Sequence, residues 1–541
     1  MSQIKEYILT QLNDEQWKAA IHTETCSLIL AGAGSGKTRV LTYKIAYMIY
    51  ELGYAPDEIL AVTFTNKAAN EMKHRLGELG KEIGAKLDMN VRNYNYRWIG
   101  TFHGMFLRIL KEIYADASLK AGYNTNFGIY DDGEAKSLVN KILKDLKLEE
   151  KIEIQPVRSM ISKLKNEWIT ANKYLHMVNN HQEEYIWAVY EQYEKELLRS
   201  NMMDFDDLLL QPYLMFRKHP ELLAKWACKR KQIMVDEAQD TNWIQFELMK
   251  LLTGEWAKIT FIWDDYQSIY RWRWAMMDNF LNVHKYRSDI VIYKLQVNYR
   301  SKAHIVEAGN AVIANNHKQY DKTVTAHRSA DEKIVHIENI NEHDEAKNII
   351  DLIKKFHKDK EMKWSDFAIL YRKNAQSSVF EQFLIADNIP YKIQWWFKFL
   401  ERKEIKDILW YMKFVNNPSD NVSLKRIVNV PARWISADTI SKIEQYWLVN
   451  NMNIWDIINN QTYMQSSGLA GRAIDSIVKF TTMINYLLSF MDTFTPSQLI
   501  ENIVNMTKYK EFLIEKEGKA IWQEKIENIW ELINIAGKYD V

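Results

Sequence analysis

Glycine is scarce in this chain: 18 of 541 residues, about 3% against a usual share near 7%. The 19 tryptophans outnumber it. Cysteine is nearly missing as well. Cys26 and Cys228 cannot build a disulfide framework, and their spacing fits no metal motif. Both read as buried small residues of a reducing compartment. Neither sign of charge dominates, and a net charge of +1 excludes a global electrostatic footprint. Any nucleic-acid surface must therefore be a local basic patch. The opening MSQIKEYILTQLNDEQW lacks an apolar signal region, and no apolar run reaches membrane-spanning length, so a cytoplasmic location is expected. The length exceeds one typical core and predicts several domains.

What is there is a nucleotide motif in the right context. In CSLILAGAGSGKTRVLTYKIAYMI (26–49), the apolar run Leu28 to Leu30 reads as a buried strand. A turn of small residues follows, Ala31 to Gly36, and then a helical pattern through Val40, Leu41, Ile45 and Ile49. Strand, small-residue turn, GKT and helix together describe a P-loop. Ala33, Gly34, Ser35 and Gly36 form the turn whose backbone N–H groups would face phosphate oxygens. Lys37 would reach the β- and γ-phosphates, and the Thr38 hydroxyl would hold Mg²⁺. Ala31 stands where the strict pattern has glycine. A second motif, KQIMVDEAQDTN (231–242), runs an apolar strand into Asp236 and Glu237. A strand-end Asp can anchor Mg²⁺, and the adjacent Glu can serve as general base on the attacking water.

A longer series then stands in one order: AGAGSGKT, AVTFTNKAANEM (61–72), IGTFHGMFLRIL (99–110), VDEAQDTN, DDYQSIYRWR (264–273) and LQVNYRS (295–301). LNDEQ (12–16), NMMDFDDLLL (201–210), FAILYRKNAQS (367–377) and ERKEIKDIL (401–409) add to it. Together they resemble the UvrD/PcrA/Rep group of superfamily 1 DNA helicases, along essentially the whole chain. The resemblance implies an α/β fold: P-loop NTPase domains with RecA-like parallel-sheet cores, each carrying a mostly helical insertion. The first core domain would be 1–112 plus 199–290, with its insertion at 113–198. The first part of the second core domain would be 291–396, and its insertion 397–541.

The same resemblance implies roles. Gln16 would read the adenine edge and Tyr299 would stack on the base. Gln267 would sense the γ-phosphate, while Arg39 and Arg300 would neutralise phosphate charge in the transition state. Lys37, Asp236, Glu237, Gln267 and Arg300 make up the implied catalytic set, with ATP and Mg²⁺ as cofactors. On the DNA side, Phe64, Tyr270 and Trp272 match base-stacking positions. Thr63, Thr65, Asn66, Thr101, His103 and Arg273 would touch the DNA backbone or position those aromatics; for His103 a purely structural hydrogen-bonding role stands beside direct contact. The implied activity is ATP-dependent translocation on single-stranded DNA and unwinding at single/double-strand junctions, 3′ to 5′, in DNA repair or replication. Two alternatives stay open: the motor part of a helicase–nuclease, and a nucleotide-gated DNA-binding or antirecombination protein that does not unwind.

Two departures from the family follow. Its late motifs, a T-x-H-x-A-K-G-L-E-like and an R-R-L-x-Y-V-like segment, are missing, so an N-terminal fragment with an incomplete second core domain is expected. Further, Trp263, Trp274, Trp395, Trp396 and Trp434 stand where the family has glycine, and Trp168 in KNEWIT fits the same rule. Glycine there serves close backbone approach or positive φ, which tryptophan would strain or overpack. The glycines and tryptophans combined approach the roughly 38 glycines that a 7% share predicts. Two readings remain: tryptophans standing for glycines through a reassigned codon such as UGA, or a divergent tryptophan-rich site. The gene decides between them. A reassigned codon predicts UGA at 263, 274, 395, 396 and 434 and UGG at 272, where the family itself uses an aromatic; UGG at all six refutes it.

Overall fold

A computed structural model describes residues 2–540 except 88–93, 117–121, 255–256, 269–287, 317–318, 330–332, 394–401, 451, 470, 492 and 517–518. The chain divides into two units, Met1–Ser329 with Asp407–Val541, and Ala330–Lys406.

The first unit is organised by strands that read as continuous apolar runs rather than alternating ones. SLILA, ILAVT and QIMV are buried at every position, as a parallel sheet covered by helices on both faces requires. The strands are β1 (Ser27–Ala31), β2 (Ile59–Thr63), β3 (Ile99–Thr101), the short pair β4 (Gly128–Ile129) and β5 (Met202–Met203), β6 (Gln232–Val235), β7 (Lys258–Trp263) and β8 (Val291–Leu295). Six of them form one sheet in the order β3-β2-β6-β7-β1-β8, with every pairing parallel. The 291 boundary drawn from the sequence is crossed here: β8 pairs with β1 as the edge strand of the first sheet.

Alternate residues of each strand serve opposite faces. Leu28, Leu30, Val62, Val235 and Phe261 pack on one side with Phe106, Ile109, Leu209 and Leu248. Ile29, Ala31, Ala61, Met234 and Ile262 pack on the other with Val40, Leu41, Met72 and Leu76. The covering helices include α1 (Gln3–Gln11), α2 (Asp14–Ile21), α3 (Lys37–Ala46), α4 (Asn66–Leu87) and α5 (Phe102–Tyr114). The insertion contributes α6 (Asp132–Asp145), α7 (Ile154–Asn166), α8 (Ala171–Leu175) and α9 (His181–Arg199). It has its own core, with Leu138, Ile142, Val157, Ile161, Val189 and Tyr190. The chain returns to the sheet through α10 (Asp207–Lys218), α11 (Pro220–Ala227) and α12 (Trp243–Thr253).

Residues 407–540 are helical and irregular, with no strand among the described residues. They touch the first insertion and the residues that follow it through buried polar contacts. Asn417 Nδ2 donates to the carbonyls of Ser200 and Asn201, both at 3.1 Å, and Tyr130 Oη donates to Asp420 at 3.3 Å. In the second unit, Glu342–Asp359 and Ser377–Ala386 are helices that share a small core at Ile350, Leu384 and Ile389. Cys26 is buried as expected, but Cys228 is exposed just past the end of α11, where the chain turns toward β6.

Two of the six suspect tryptophans have the backbone of a glycine. Trp168 has φ 48° and Trp434 has φ 60°. Trp168 follows the C-terminus of α7, and Ile169 N donates back to Leu164 O at 2.8 Å; in this helix-ending turn a left-handed residue is usually glycine. Its ring stacks on Tyr213 and Trp243. Trp434 is 94% exposed and gains little from packing. Trp263 differs, being a fully buried strand residue whose φ is not positive, edge-on to Tyr320 at 5.3 Å. Trp274, Trp395 and Trp396 lie outside the described residues. The left-handed conformation costs a non-glycine residue roughly 1–2 kcal/mol. W434G therefore raises unfolding stability by about 1 kcal/mol, read in urea titration. W168G gains less because it forfeits two ring contacts. Destabilisation by W434G means the position does not call for glycine.

Candidate nucleotide and nucleic-acid site

The ends of the parallel strands gather the site. β1 runs into the P-loop, β6 into Asp236 and Glu237, and β7 into Asp264 and Asp265, on three neighbouring strands of the sheet. β2 and β3 end at Thr63 and Thr101 on the same edge. Ligands of open parallel sheets bind at this carboxyl edge.

The P-loop turns through Gly34 at φ 69° and Gly36 at φ 85°, the latter capping α3. β9 (Val297–Lys302), which pairs in parallel with β10 (Thr325–Arg328), lies against it. Asn298 Nδ2 donates to Ala33 O at 2.7 Å, and Tyr299 N donates to Gly34 O at 3.0 Å. Arg300 is exposed beside the loop. A Cβ at Gly34 would come within 2.8 Å of Arg300 Cβ, so this approach requires glycine. Gln16 is buried and braces the loop: Nε2 donates to Ser35 O at 2.8 Å, while Oε1 accepts from Asn13 N at 3.2 Å. Tyr299 Oη accepts from Asn13 Nδ2 at 2.7 Å. Arg39 donates to Gln11 O at 2.8 Å and lies over the ring of Tyr43.

Lys37 crosses from the P-loop to the acids. Its Nζ lies 3.0 Å from Glu237 Oε2 and 3.7 Å from Asp264 Oδ2, which is fully buried. Glu237 has φ 50°, a left-handed conformation uncommon outside glycine. Gln239, which no sequence pattern inside DEAQD singles out, ties the two acids together. Its Nε2 donates to Glu237 Oε2 at 2.6 Å, and its Oε1 accepts from Asp264 N at 2.9 Å. Burial, then the neighbouring Glu237 charge, push the Asp236 carboxyl up to about 6, with Lys37 opposing them. Gln267 ends a short 3₁₀ turn, Asp265–Gln267, and its N–H donates to Asp264 O at 3.0 Å. Thr38 lies in the first turn of α3.

Of the DNA-side residues, Thr63 is fully buried and donates to Thr65 O at 3.0 Å. Its hydroxyl is thus engaged within the turn that carries half-buried Phe64. Thr65 Oγ1 accepts from Ala68 N at the start of α4, and Asn66 is exposed. Thr101 caps α5 by accepting from Gly104 N. Burial lowers the His103 imidazole to about 4, so it is neutral at pH 7 and offers hydrogen bonds rather than charge. Tyr270, Trp272 and Arg273 lie outside the described residues.

A cleft of about 680 Å³ opens between this edge and the insertion, with His103, Arg158, Asn166, Phe205 and Asn242 on its walls. Phe205 is 53% exposed and edge-on to His103 at 6.0 Å. The motif NMMDFDDLLL assigns it no role; its only signal there is that of a lone aromatic between acids. Asp204 and Asp207 turn inward to a wholly buried Lys165, which lies 2.8 Å from each and 2.7 Å from Glu194, while Asp206 accepts from Asn166 Nδ2 at 2.8 Å. Burial opposes the charge on Lys165, but the three carboxylates outweigh it and raise its affinity for the proton.

Similarity to known proteins identifies the family. A family model described as UvrD/REP helicase N-terminal domain matches residues 12–288, and one described as UvrD-like helicase C-terminal domain matches 293–541. The expectation of an incomplete second core domain is therefore not supported. The domain pattern is carried by residues spread over 293–541 and persists without the two short signatures. Similar proteins include the ATP-dependent DNA helicase PcrA of Bacillus subtilis, 37% identical over 542 residues, covering 100% of this chain and 71% of the relative. The PcrA proteins of Staphylococcus aureus and Staphylococcus epidermidis are each 36% identical over 98% of this chain, which corresponds to 70% and 71% of their lengths. A P-loop lysine held by strand-end acids, in a chain matched by both domain models of one family, establishes that this protein belongs to the UvrD/REP helicase family and is an enzyme of the hydrolase class.

Proposed function

We propose that this enzyme hydrolyses ATP with Mg²⁺ to move along single-stranded DNA and to open single/double-strand junctions in the cytoplasm. The proposed polarity is 3′ to 5′, and repair or replication the setting. The observation that carries the reading is Lys37, poised between Glu237 and Asp264 on the edge that also ends in Thr63 and Thr101. No observation among the described residues favours a helicase–nuclease or a non-unwinding DNA-binding protein. The division read from the sequence, with core segments 1–112, 199–290 and 291–396 and helical insertions 113–198 and 397–541, goes with this reading, except that β8 at 291–295 joins the first sheet.

The residues suit the cofactor. Thr38 and Asp236 offer hard oxygen ligands, which Mg²⁺ prefers alongside phosphate. A cation beside Asp236 would also relieve the burial and Glu237 repulsion that raise its carboxyl. ATP with Mg²⁺ supplies the phosphoryl group that reacts. Drawn to the phosphates, the Lys37 ammonium would release Glu237, whose freed carboxylate can take the proton of the attacking water. Gln267, Arg39 and Arg300 would orient and neutralise the developing charge. Gln16 and Tyr299 would receive the base by exchanging the internal hydrogen bonds they make here. Phe64, Phe205, Tyr270 and Trp272 would offer faces to DNA bases, with Thr65, Asn66, His103 and Arg273 beside them.

Two measurements test this. E237Q keeps nucleotide binding but lowers DNA-stimulated ATP turnover by at least about 100-fold, whereas K37A weakens both binding and turnover. Full turnover in E237Q removes the assigned base. F205A weakens binding of an oligothymidylate about tenfold in fluorescence anisotropy, within the roughly 1–3 kcal/mol of one aromatic–base stack. Unchanged affinity removes Phe205 from the DNA path.

A further inference from the structure

Beyond the P-loop and its acids, one buried cation has no role in the reading above. Lys322 lies in the segment leading into β10, and its side chain is fully buried. Its Nζ is 2.9 Å from Asp264 Oδ1 and 2.5 Å from Asp265 Oδ1, and both carboxylates are themselves fully buried. The same segment is tied down at three further points. Tyr266 Oη donates to Lys322 O at 2.7 Å, Tyr320 N donates to Asp265 Oδ2 at 2.8 Å, and the ammonium lies 4.1 Å from the centre of the Tyr266 ring.

This arrangement makes a line of alternating charge: Glu237, Lys37, Asp264, Lys322, Asp265. Asp264 is its hinge, because it sees a lysine on either side. It also builds the turn that ends in Gln267. Asp264 Oδ1 accepts from Tyr266 N at 3.2 Å, and Asp264 O accepts from Gln267 N at 3.0 Å. A buried carboxylate stripped of its cation is strongly destabilised. When Lys37 turns to a phosphate, Lys322 is the cation left beside Asp264 among the described residues.

We propose that Lys322 is a positioning residue for catalysis: it neutralises Asp264 after Lys37 leaves it, keeps Asp265 paired, and so holds Gln267 in register with the γ-phosphate. The inference rests on the functional reading above. It differs from an ordinary structural ion pair in what it predicts, since Lys322 acts at the step where Lys37 is withdrawn rather than at nucleotide entry.

Steady-state ATP hydrolysis on oligothymidylate, alongside circular dichroism, separates the cases. K322Q lowers kcat at least tenfold and changes KM for ATP by less than threefold, while K322R recovers kcat to within threefold of the parent chain. Where K322Q does not fold, the double variant D265N/K322Q, which removes one stranded carboxylate, folds and shows the same loss of kcat. A kcat within twofold of the parent in the folded K322Q or double variant overturns the inference, and so does a K322R as slow as K322Q. A parent chain without DNA-stimulated hydrolysis overturns the functional reading and this inference with it; an active parent beside an unimpaired K322Q overturns this inference alone.

Discussion

The ammonium of Lys37, wedged between Glu237 and Asp264, is the contact on which the site depends. Without it, Asp236, Glu237, Asp264 and Asp265 would crowd like charges onto the ends of two adjacent strands. Burying them is tolerable only because cations are interleaved, with Lys37 on one side and Lys322 on the other. The same arrangement makes the site responsive. In the proposed mechanism a phosphate competes for Lys37, and whatever it takes from the acids must be rebalanced locally. The raised carboxyl of Asp236 and the left-handed backbone of Glu237 are two signs of the strain held there.

The sheet supplies the rigidity that this charge pattern needs. Strands buried on both faces fix the heights of their carboxyl ends, and the order β3-β2-β6-β7-β1-β8 puts the two acidic ends next to the P-loop. The insertion then closes a cleft over the same edge. Its attachment repeats the charge logic on a larger scale, because Lys165 on α7 gathers Asp204 and Asp207 at the start of α10. Phe205, between them in the chain, stands exposed on the wall of the cleft.

The tryptophans show both the strength and the limit of pattern reading. The glycine shortage and the motif positions mark six of them from the sequence. The backbone singles out Trp168 and Trp434, whose positive φ values are a conformational demand independent of any family pattern. Trp263 earns no such support, since its strand conformation accepts a large side chain and its ring is fully enclosed.

The P-loop, the Asp236–Glu237 pair and the strand–helix alternation could be read from residues alone, because each is a local pattern: an apolar run, a turn of small residues, a helix start. Contacts distant in the chain could not. Lys322 carries no motif, and it meets Asp264 only because β10 pairs with β9 and the preceding segment folds over the end of β7. Gln239 and Phe205 stand inside legible motifs, yet their partners are set by the folded edge of the sheet. Even the strand at 291–295 changed its allegiance, because hydrogen bonding to β1 depends on which sheet edge is open and not on where a domain pattern begins. Local sequence dictates which chemistry a segment can perform. Long-range packing decides which charges meet, because burial makes an unpaired charge costly and leaves only arrangements that pair them.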